Sequence, residues 1–283
     1  MDEKMKDKGI TKAVILAAGL GKRMQQGEAV GIDAKTAQLA GKGLKALIPL
    51  EDRPFLDYGI DNLIEAGFRE ICLVVGTHCE EIREYYESKK KTLAEKGVTV
   101  AFAYQAEPKG TANAVYSARS FAGNDEFCLV NCDNVYDVED LKNLRNAEGG
   151  RCYTVGYDKN SLARNGNIPR ERIERFAVMD VDERMNLKKI VEKPSAGMLA
   201  NNPNLLVSMN CFRFTSRIFE ACSKIKPHPE RKEYELPSAV QYIIDKDLNE
   251  FLVIPSKKSV LDLTGKSDIA PVRKLLAGRK IEW

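Results

Sequence analysis

Between Ala13 and Met24 the chain reads Ala-Val-Ile-Leu-Ala-Ala-Gly-Leu-Gly-Lys-Arg-Met, an apolar run of strand character that breaks at once into two glycines and two cations. Few folds use such a break. A buried strand that ends in glycine and re-enters as a helix is the repeating unit of a parallel α/β sheet. Glycine also lets backbone N–H groups converge on an anion while Lys22 or Arg23 supplies charge. By itself the segment reads equally well as a nucleotide-phosphate loop or as a tight strand–helix turn with solvated cations. Two familiar phosphate loops fit less well: a dinucleotide fingerprint has a third glycine where Met24 stands, and a Walker loop follows Gly-Lys with Ser or Thr, where this chain has Arg23.

The first half repeats this alternation. Strands are expected over Ala13–Ala18, Ile71–Val75, Val98–Tyr104, Phe127–Asn131 and Cys152–Tyr157, with helices over Pro54–Gly67, His78–Glu95, Ala112–Phe121 and Val138–Arg145. Leu56, Ile60, Leu63 and Ile64 recur on one helical face, which packs on the sheet. The second half reads differently: Phe176–Asp182 and Leu187–Val191, joined by Glu183-Arg-Met-Asn, predict a hairpin, followed by strand Leu205–Phe214 and helix Arg217–Ser223. The fold class is therefore α/β, a Rossmann-like doubly wound and mostly parallel sheet with a small antiparallel addition. One domain over 1–283 is expected, its halves at about 11–150 and 151–270.

Composition narrows the function classes. A chain of 283 residues, 43% hydrophobic and 30% charged, is long enough for a large buried core. A net charge of +3 argues against a nucleic-acid partner, and the Lys89–Lys91 run reads as a solvated helix face. No apolar run approaches the roughly 20 residues that span a bilayer, and the first eight residues lack the apolar core of a secretory signal. A cytoplasmic location without membrane contact is the expectation. The seven cysteines form no Cys-x-x-Cys pair and have no neighbouring histidine, which predicts reduced thiols.

Ligands of doubly wound sheets sit at the carboxyl ends of strands, so chemistry is sought there. Leu129-Val-Asn-Cys-Asp-Asn134 ends an apolar strand in a carboxylate, where a hard cation belongs; Asp133 and Asn134 serve equally as caps of the next turn. Asp262, in Ser259-Val-Leu-Asp-Leu-Thr-Gly265, is a second such carboxylate or a turn starter. Gln105-Ala-Glu-Pro-Lys-Gly-Thr-Ala112 offers an amide donor and acceptor to a base edge beside a permissive Gly110, or is a loop with Thr111 as N-cap.

In order along the chain, Leu16-Ala-Ala-Gly-Leu-Gly-Lys-Arg-Met24, Lys45-Ala-Leu-Ile-Pro49 leading into Pro54-Phe-Leu-Asp-Tyr, Gln105 with Gly110-Thr111-Ala112, Asp133-Asn134, Glu192-Lys193-Pro194 and Asp262 resemble the sugar-1-phosphate nucleotidyltransferases. The uridylyl- and thymidylyl-transferring members are most similar. The resemblance implies a glycosyltransferase-A-like sheet and transfer of a nucleotidyl group from a nucleoside triphosphate to a sugar 1-phosphate, with Mg²⁺ as cofactor and pyrophosphate released. It implies that Ala17, Ala18, Gly19, Gly21 and Arg23 cradle the triphosphate, that Gln105, Gly110 and Thr111 hold the nucleoside, and that Asp133 and Asp262 hold Mg²⁺. Lys45 then approaches the reacting phosphates, Lys193 grips the sugar phosphate, and Asn134, Glu192 and Asn210 face the sugar. A homo-oligomer is left open.

The chain departs from that pattern in three places. Gln25–Gly43 lengthens the phosphate loop; Asp33 as N-cap, Ala34–Ala40 as helix formers and Gly41 as terminator predict a short helix, with a mobile lid as its expected use. Glu174-Arg-Phe-Ala-Val178 stands where relatives carry a glycine, and Asn160–Pro169 matches no motif of the family. Other classes compete: a glycosyltransferase using Asp180-Val-Asp182, a cytidylyltransferase acting on a phosphorylated alcohol, and a non-catalytic regulatory homologue. The first is disfavoured because that pair falls in the hairpin, the last because both metal carboxylates are kept.

Overall fold

The computed structural model describes residues 9–28, 31–173, 175–192, 194–195, 197–198 and 205–283. Lys193 lies outside them, so its expected grip on the sugar phosphate has no geometry here. Strands run β1 (Lys12–Ala17), β2 (Pro49–Leu50), β3 (Arg53–Pro54), β4 (Glu70–Gly76), β5 (Thr99–Gln105), β6 (Phe127–Asn131), β7 (Asn134–Val135), β8 (Cys152–Tyr157), β9 (Val178–Val181), β10 (Leu187–Val191), β11 (Leu206–Phe214), β12 (Phe251–Ser256) and β13 (Leu261–Asp262). The first helices are α1 (Lys22–Gln25), α2 (Ala34–Gly41), α3 (Phe55–Ala66), α4 (Glu80–Glu95), α5 (Thr111–Ser117), α6 (Arg119–Ala122), α7 (Val138–Asn146), α8 (Lys159–Asn165) and α9 (Arg170–Ile173). Helices over Arg217–Lys224, Leu236–Asp245 and Ile269–Leu276 follow.

A nine-stranded sheet in the order β10-β9-β11-β6-β1-β4-β5, with β8 joined to β11 and β12, forms the centre. β1 pairs in parallel with β4 on one side and β6 on the other. The chain thus winds outward from β1 in one direction and returns to its other flank. This reversal opens a crevice at the carboxyl ends of β1 and β6, where Gly19 and Asp133 follow. The apolar residues of β1 and the Ala18 that follows it alternate between two buried clusters, one on each sheet face: Ala13, Ile15 and Ala17 against Val14, Leu16 and Ala18. Burial on both faces explains why the strand reads as a continuous apolar run.

The expected hairpin forms as β9 and β10. Asp182 closes its turn by accepting from the Arg184 and Asn186 amides at 3.0 and 2.8 Å. That bonding, led by the Asn186 side chain, holds its carboxyl below the usual carboxylate range. Asp182 is therefore turn architecture, and Asp180 lies within β9. The expected helix Ala112–Phe121 divides at Ala118 into α5 and α6, and the helix expected from His78 begins at Glu80. Helix Leu236–Asp245 and strand β12 had no counterpart in the sequence reading.

The Gln25–Gly43 insertion folds as α2 with Asp33 at its N-cap, the carboxylate accepting from the Thr36 amide at 2.9 Å. Gly41 does not terminate it: the helix includes Gly41, Lys42 caps it, and Gly43 takes the positive φ of 75°. Thr36 and Ala40 are fully buried, and Ile32 and Leu39 pack on a cluster with Met24, Ile48 and Ile269. Small side chains at helical spacing bury a face without aromatics, and of the described insertion residues Gly43 alone lines a cavity of the site described next.

Candidate active site

Two cavities, of about 440 and 330 Å³, open side by side at the switch point. Arg23, Thr111, Asn131, Asp133, Asn210 and Glu233 line both. The first is walled by Ala17, Ala18, Gly19, Gly21, Lys45, Gln105 and Gly110 among others. The second holds Asn134, Glu192, Ser208, Asp262 and Thr264. Every described residue that the sequence assigned to the site therefore lies in one cavity or both.

The glycine loop after β1 is shaped by contact with the end of the insertion. A Cβ on Gly21 would stand 2.2 Å from the Gly43 carbonyl oxygen, and one on Gly43 would stand 2.4 Å from that of Leu20. Both residues have positive φ, 60° and 75°. Two backbones cross here at a distance that excludes any side chain. The Gln25 amide nitrogen bonds the Leu20 carbonyl at 2.9 Å and ties the loop further.

One wall of the first cavity is built by β5 and the start of α5. Gln105 is the last residue of β5 and is 5% exposed. Its Nε2 donates to the Gly110 carbonyl at 3.0 Å and to Asn113 Oδ1 at 2.9 Å. Thr111 is not the N-cap; Gly110 is, and the Thr111 hydroxyl oxygen accepts from the Leu236 amide at 2.9 Å. The same loop is stitched to residue 234 by Tyr234 N–H to Lys109 O at 2.7 Å and Ala112 N–H to Tyr234 O at 2.9 Å. Glu233 and Glu235, on either side of Tyr234, line the second cavity.

At the junction Lys45 Nζ donates to Asp133 Oδ2 at 2.9 Å. Burial works against the Lys45 charge, but the Asp133 carboxylate outweighs it and holds the ammonium above its ordinary pKa. β13 pairs with β7 and sets Asp262 opposite Asn134, while the Leu263 amide bonds the Asp133 carbonyl at 2.9 Å. Both carboxylates thus end on adjacent backbone. Asp262 is 2% exposed, and burial followed by the Asp133 charge pushes its carboxyl up to about 6. Its oxygens are nevertheless well supplied: Thr264 Oγ1–H at 3.0 Å, Asn134 Nδ2–H at 3.2 Å and the Arg172 guanidinium at 3.6 Å.

This donor set fits a hard cation. The Asp133 charge raises the cost of ionising Asp262, which a positive charge between them would offset, and oxygen is what Mg²⁺ prefers. Among the described residues no group of three or more His, Cys, Asp or Glu side chains forms a ligand cluster. Mg²⁺ commonly binds through one or two carboxylates and completes its shell with phosphates and water.

Asp262 is not a turn starter; Asp268 does that work, accepting from the Thr264 and Gly265 amides at 3.0 and 2.8 Å. Nor does Asp133 cap the next helix, since Asp137 caps α7. Asn134 is buried at 5% exposure and donates one amide N–H to Asp262 Oδ1 at 3.2 Å. Asn210 interrupts β11 at a register shift with φ 54° and lines both cavities, a strained turn of the sort that asparagine tolerates. The sequence reading missed Arg175, Arg231, Glu233 and Glu235 in the second cavity, because no local spacing links them to the strand ends. It also missed Asn167 and Arg172, which brace β13: Asn167 exchanges two hydrogen bonds with the Asp262 backbone at 2.7 and 2.9 Å. Both come from or just after the Asn160–Pro169 segment that matched no motif.

All seven cysteines are free, six of them buried. No helix among the described residues is long and apolar enough to cross a membrane.

The chain is similar to characterised proteins along most of its length. UTP–glucose-1-phosphate uridylyltransferase of Bacillus subtilis is 28% identical over 235 residues, 75% of this chain and 73% of the relative. A low-salt glycan biosynthesis nucleotidyltransferase of Haloferax volcanii, Agl11, is 25% identical over 234 residues; the match takes in 83% of this chain but only 57% of that protein. A UDP-glucose pyrophosphorylase solved with UDP-glucose superposes with a TM-score of 0.73 at 18% identity, covering 96% of this chain and all of the other, and so shares the fold. The UDP-glucose pyrophosphorylase from Acinetobacter baumanii superposes with a TM-score of 0.71 at 21% identity, over 96% and 95% of the two chains. With the nucleotidyl transferase family model matched over residues 12–268, nearly the whole described fold and all of the strand-end carboxylates fall inside it, and the chain belongs to the nucleotidyl transferase family.

Proposed function

We propose that this enzyme transfers a uridylyl or thymidylyl group from UTP or dTTP to a sugar 1-phosphate and releases pyrophosphate. The observation that carries the reading is the pair of contiguous cavities with Arg23, Asp133 and Asn210 in their common wall. In-line displacement at the α-phosphorus needs two substrates end to end, and a shared wall is where the two phosphates meet. We assign the nucleotide to the half at about 11–150, which supplies all of the first cavity's lining but Asn210 and Glu233, and the sugar phosphate to the half at about 151–270, which shares the second cavity with Arg23, Thr111, Asn131, Asp133 and Asn134.

Gly19, Gly21 and Arg23 receive the triphosphate, with backbone amides and one guanidinium offsetting its charge. Lys45 brings an ammonium to the junction, where negative charge builds on the α-phosphoryl oxygens as the sugar-phosphate oxygen attacks. Glu192, Asn210 and Glu233 accept or donate hydrogen bonds to sugar hydroxyls, and Lys193 pairs with the sugar phosphate. Mg²⁺ held by Asp133 and Asp262 would neutralise phosphate charge that grows in the transition state. The relative named for UTP and glucose 1-phosphate supports this substrate class.

A pyrophosphate-release screen of UTP, dTTP, CTP, ATP and GTP against a panel of sugar 1-phosphates, with and without Mg²⁺, tests the proposal. Turnover with UTP or dTTP that requires both Mg²⁺ and a sugar 1-phosphate is expected. Purine preference overturns the base assignment, and turnover with a phosphorylated alcohol alone overturns the acceptor assignment.

A further inference from the structure

The Gln105 carboxamide has one orientation in this fold. Its Nε2 faces the Gly110 carbonyl oxygen at 3.0 Å, and a backbone carbonyl only accepts, so the nitrogen end of the amide must point there. The second Nε2 hydrogen goes to Asn113 Oδ1 at 2.9 Å. Both donors are therefore consumed inside the loop. Oε1 accepts no hydrogen bond among the described residues, and Gln105 lines the first cavity while its side chain is almost wholly buried. Turning the amide over would set Oε1 against the Gly110 carbonyl oxygen, which can only accept, and would break the bond to Asn113 Oδ1.

We infer that Asn113, on the first turn of α5, is a positioning residue that sets base choice by holding Gln105 as an acceptor toward the nucleotide. This rests on the uridylyl or thymidylyl assignment above. An amide that shows a base only its oxygen matches a ring N–H, as at N3 of uracil and thymine. It meets the unprotonated N3 of cytosine or N1 of adenine with lone pair against lone pair. Size does not separate uracil from cytosine, so the amide orientation must. The Gly110 and Thr111 amides make no hydrogen bond among the described residues and line the same cavity, which leaves donors for a uracil carbonyl oxygen.

The loop geometry keeps the arrangement rigid. Gly110 has φ 110°, and a Cβ there would stand 2.5 Å from the Tyr234 carbonyl oxygen, so its own carbonyl direction is fixed by the strap at residue 234. Gln105 is locked at one end by that carbonyl and at the other by Asn113. Asn113 is the half of this lock that a side-chain substitution reaches.

The test compares kcat/KM for UTP and CTP in the wild type, Asn113→Asp and Asn113→Leu. Aspartate keeps an acceptor facing Nε2 and retains the wild-type ratio. Leucine, of similar size, removes it, and the UTP preference falls by roughly tenfold, the factor one ordinary hydrogen bond carries. A merely structural role lowers both substrates alike and leaves the ratio unmoved. The inference is overturned if Asn113→Leu keeps the wild-type ratio, if Asn113→Asp loses it equally, or if the wild type does not distinguish UTP from CTP. A wild type that prefers ATP or GTP instead removes the base assignment on which the inference stands.

Discussion

The Lys45 ammonium lies 2.9 Å from the Asp133 carboxylate, across 88 residues of sequence and at the wall shared by the two cavities. Lys45 follows the insertion on a short 3₁₀ turn, and Asp133 follows β6, the strand beside β1. Without substrates, Lys45 supplies the positive charge that Asp133 needs beside the buried Asp262. The site thus contains its charge balance before any ligand arrives, and three charged groups at one point make it sensitive to the loss of any of them.

Asp133→Asn should therefore abolish the response to Mg²⁺ and lower turnover by at least about 10²-fold, the loss typical when one electrostatic contact to the transition state is removed. Steady-state pyrophosphate release at varied Mg²⁺ checks this, with circular dichroism confirming an intact fold. Near-normal turnover by the variant contradicts the metal assignment.

Lys193→Ala should raise KM for the sugar 1-phosphate by about 10- to 100-fold, the range of one charge-assisted hydrogen bond, and leave KM for the nucleoside triphosphate within about twofold. Initial rates with each substrate varied in turn decide the matter. An equal loss for both substrates would move Lys193 to the junction.

Gly43→Ala and Gly41→Ala should differ in sign. Gly43 has φ 75° and no space for a Cβ, so its substitution should destabilise by more than about 1 kcal/mol and weaken triphosphate binding. Gly41 is helical, with nothing within 4 Å of a new Cβ, and alanine there should stabilise by roughly 0.5–1 kcal/mol. Chemical denaturation and nucleotide titration of the two variants provide the comparison. If both behave alike, the backbone crossing at Gly21 and Gly43 does not constrain the loop.

Asp140 lies away from the site, buried and accepting a hydrogen bond from Ser256 Oγ at 3.0 Å. Burial pushes its carboxyl up to about 6. The folded pKa is above the unfolded value, so the native state holds the proton more tightly. The stability this contributes is complete below about pH 4 and is lost as pH rises through about 6. Asp140→Asn keeps the acceptor but removes the titration, and should be more stable than wild type at pH 8 by on the order of 2 kcal/mol, with the gap closing toward pH 4. Denaturation midpoints at the two pH values measure it; a gap that is constant with pH excludes Asp140 as its source.

Local sequence determined eight of the nine strands of the central sheet, the glycine loop and the strand-end carboxylates. β1 is legible because both its faces are buried, which forces an unbroken apolar run, and the loop because backbone approach excludes every residue but glycine. Asp133 and Asp262 are legible as carboxylates at strand ends. Tertiary structure alone decided how these parts work. Only the pairing of β13 with β7 brings Asp262 to Asp133, and only the return of the chain at Tyr234 carries Glu233 and Glu235 to the second cavity. The insertion shows the same division. Its helix and Asp33 cap follow from local propensity, yet whether Thr36 and Ala40 face a lid hinge or a packed cluster depends on Met24, Ile48 and Ile269 being close in space. Periodicity and spacing report what a segment does with its own neighbours along the chain; which distant surface completes a cavity or covers an apolar face is settled by burial and hydrogen bonding among elements that the sequence keeps far apart.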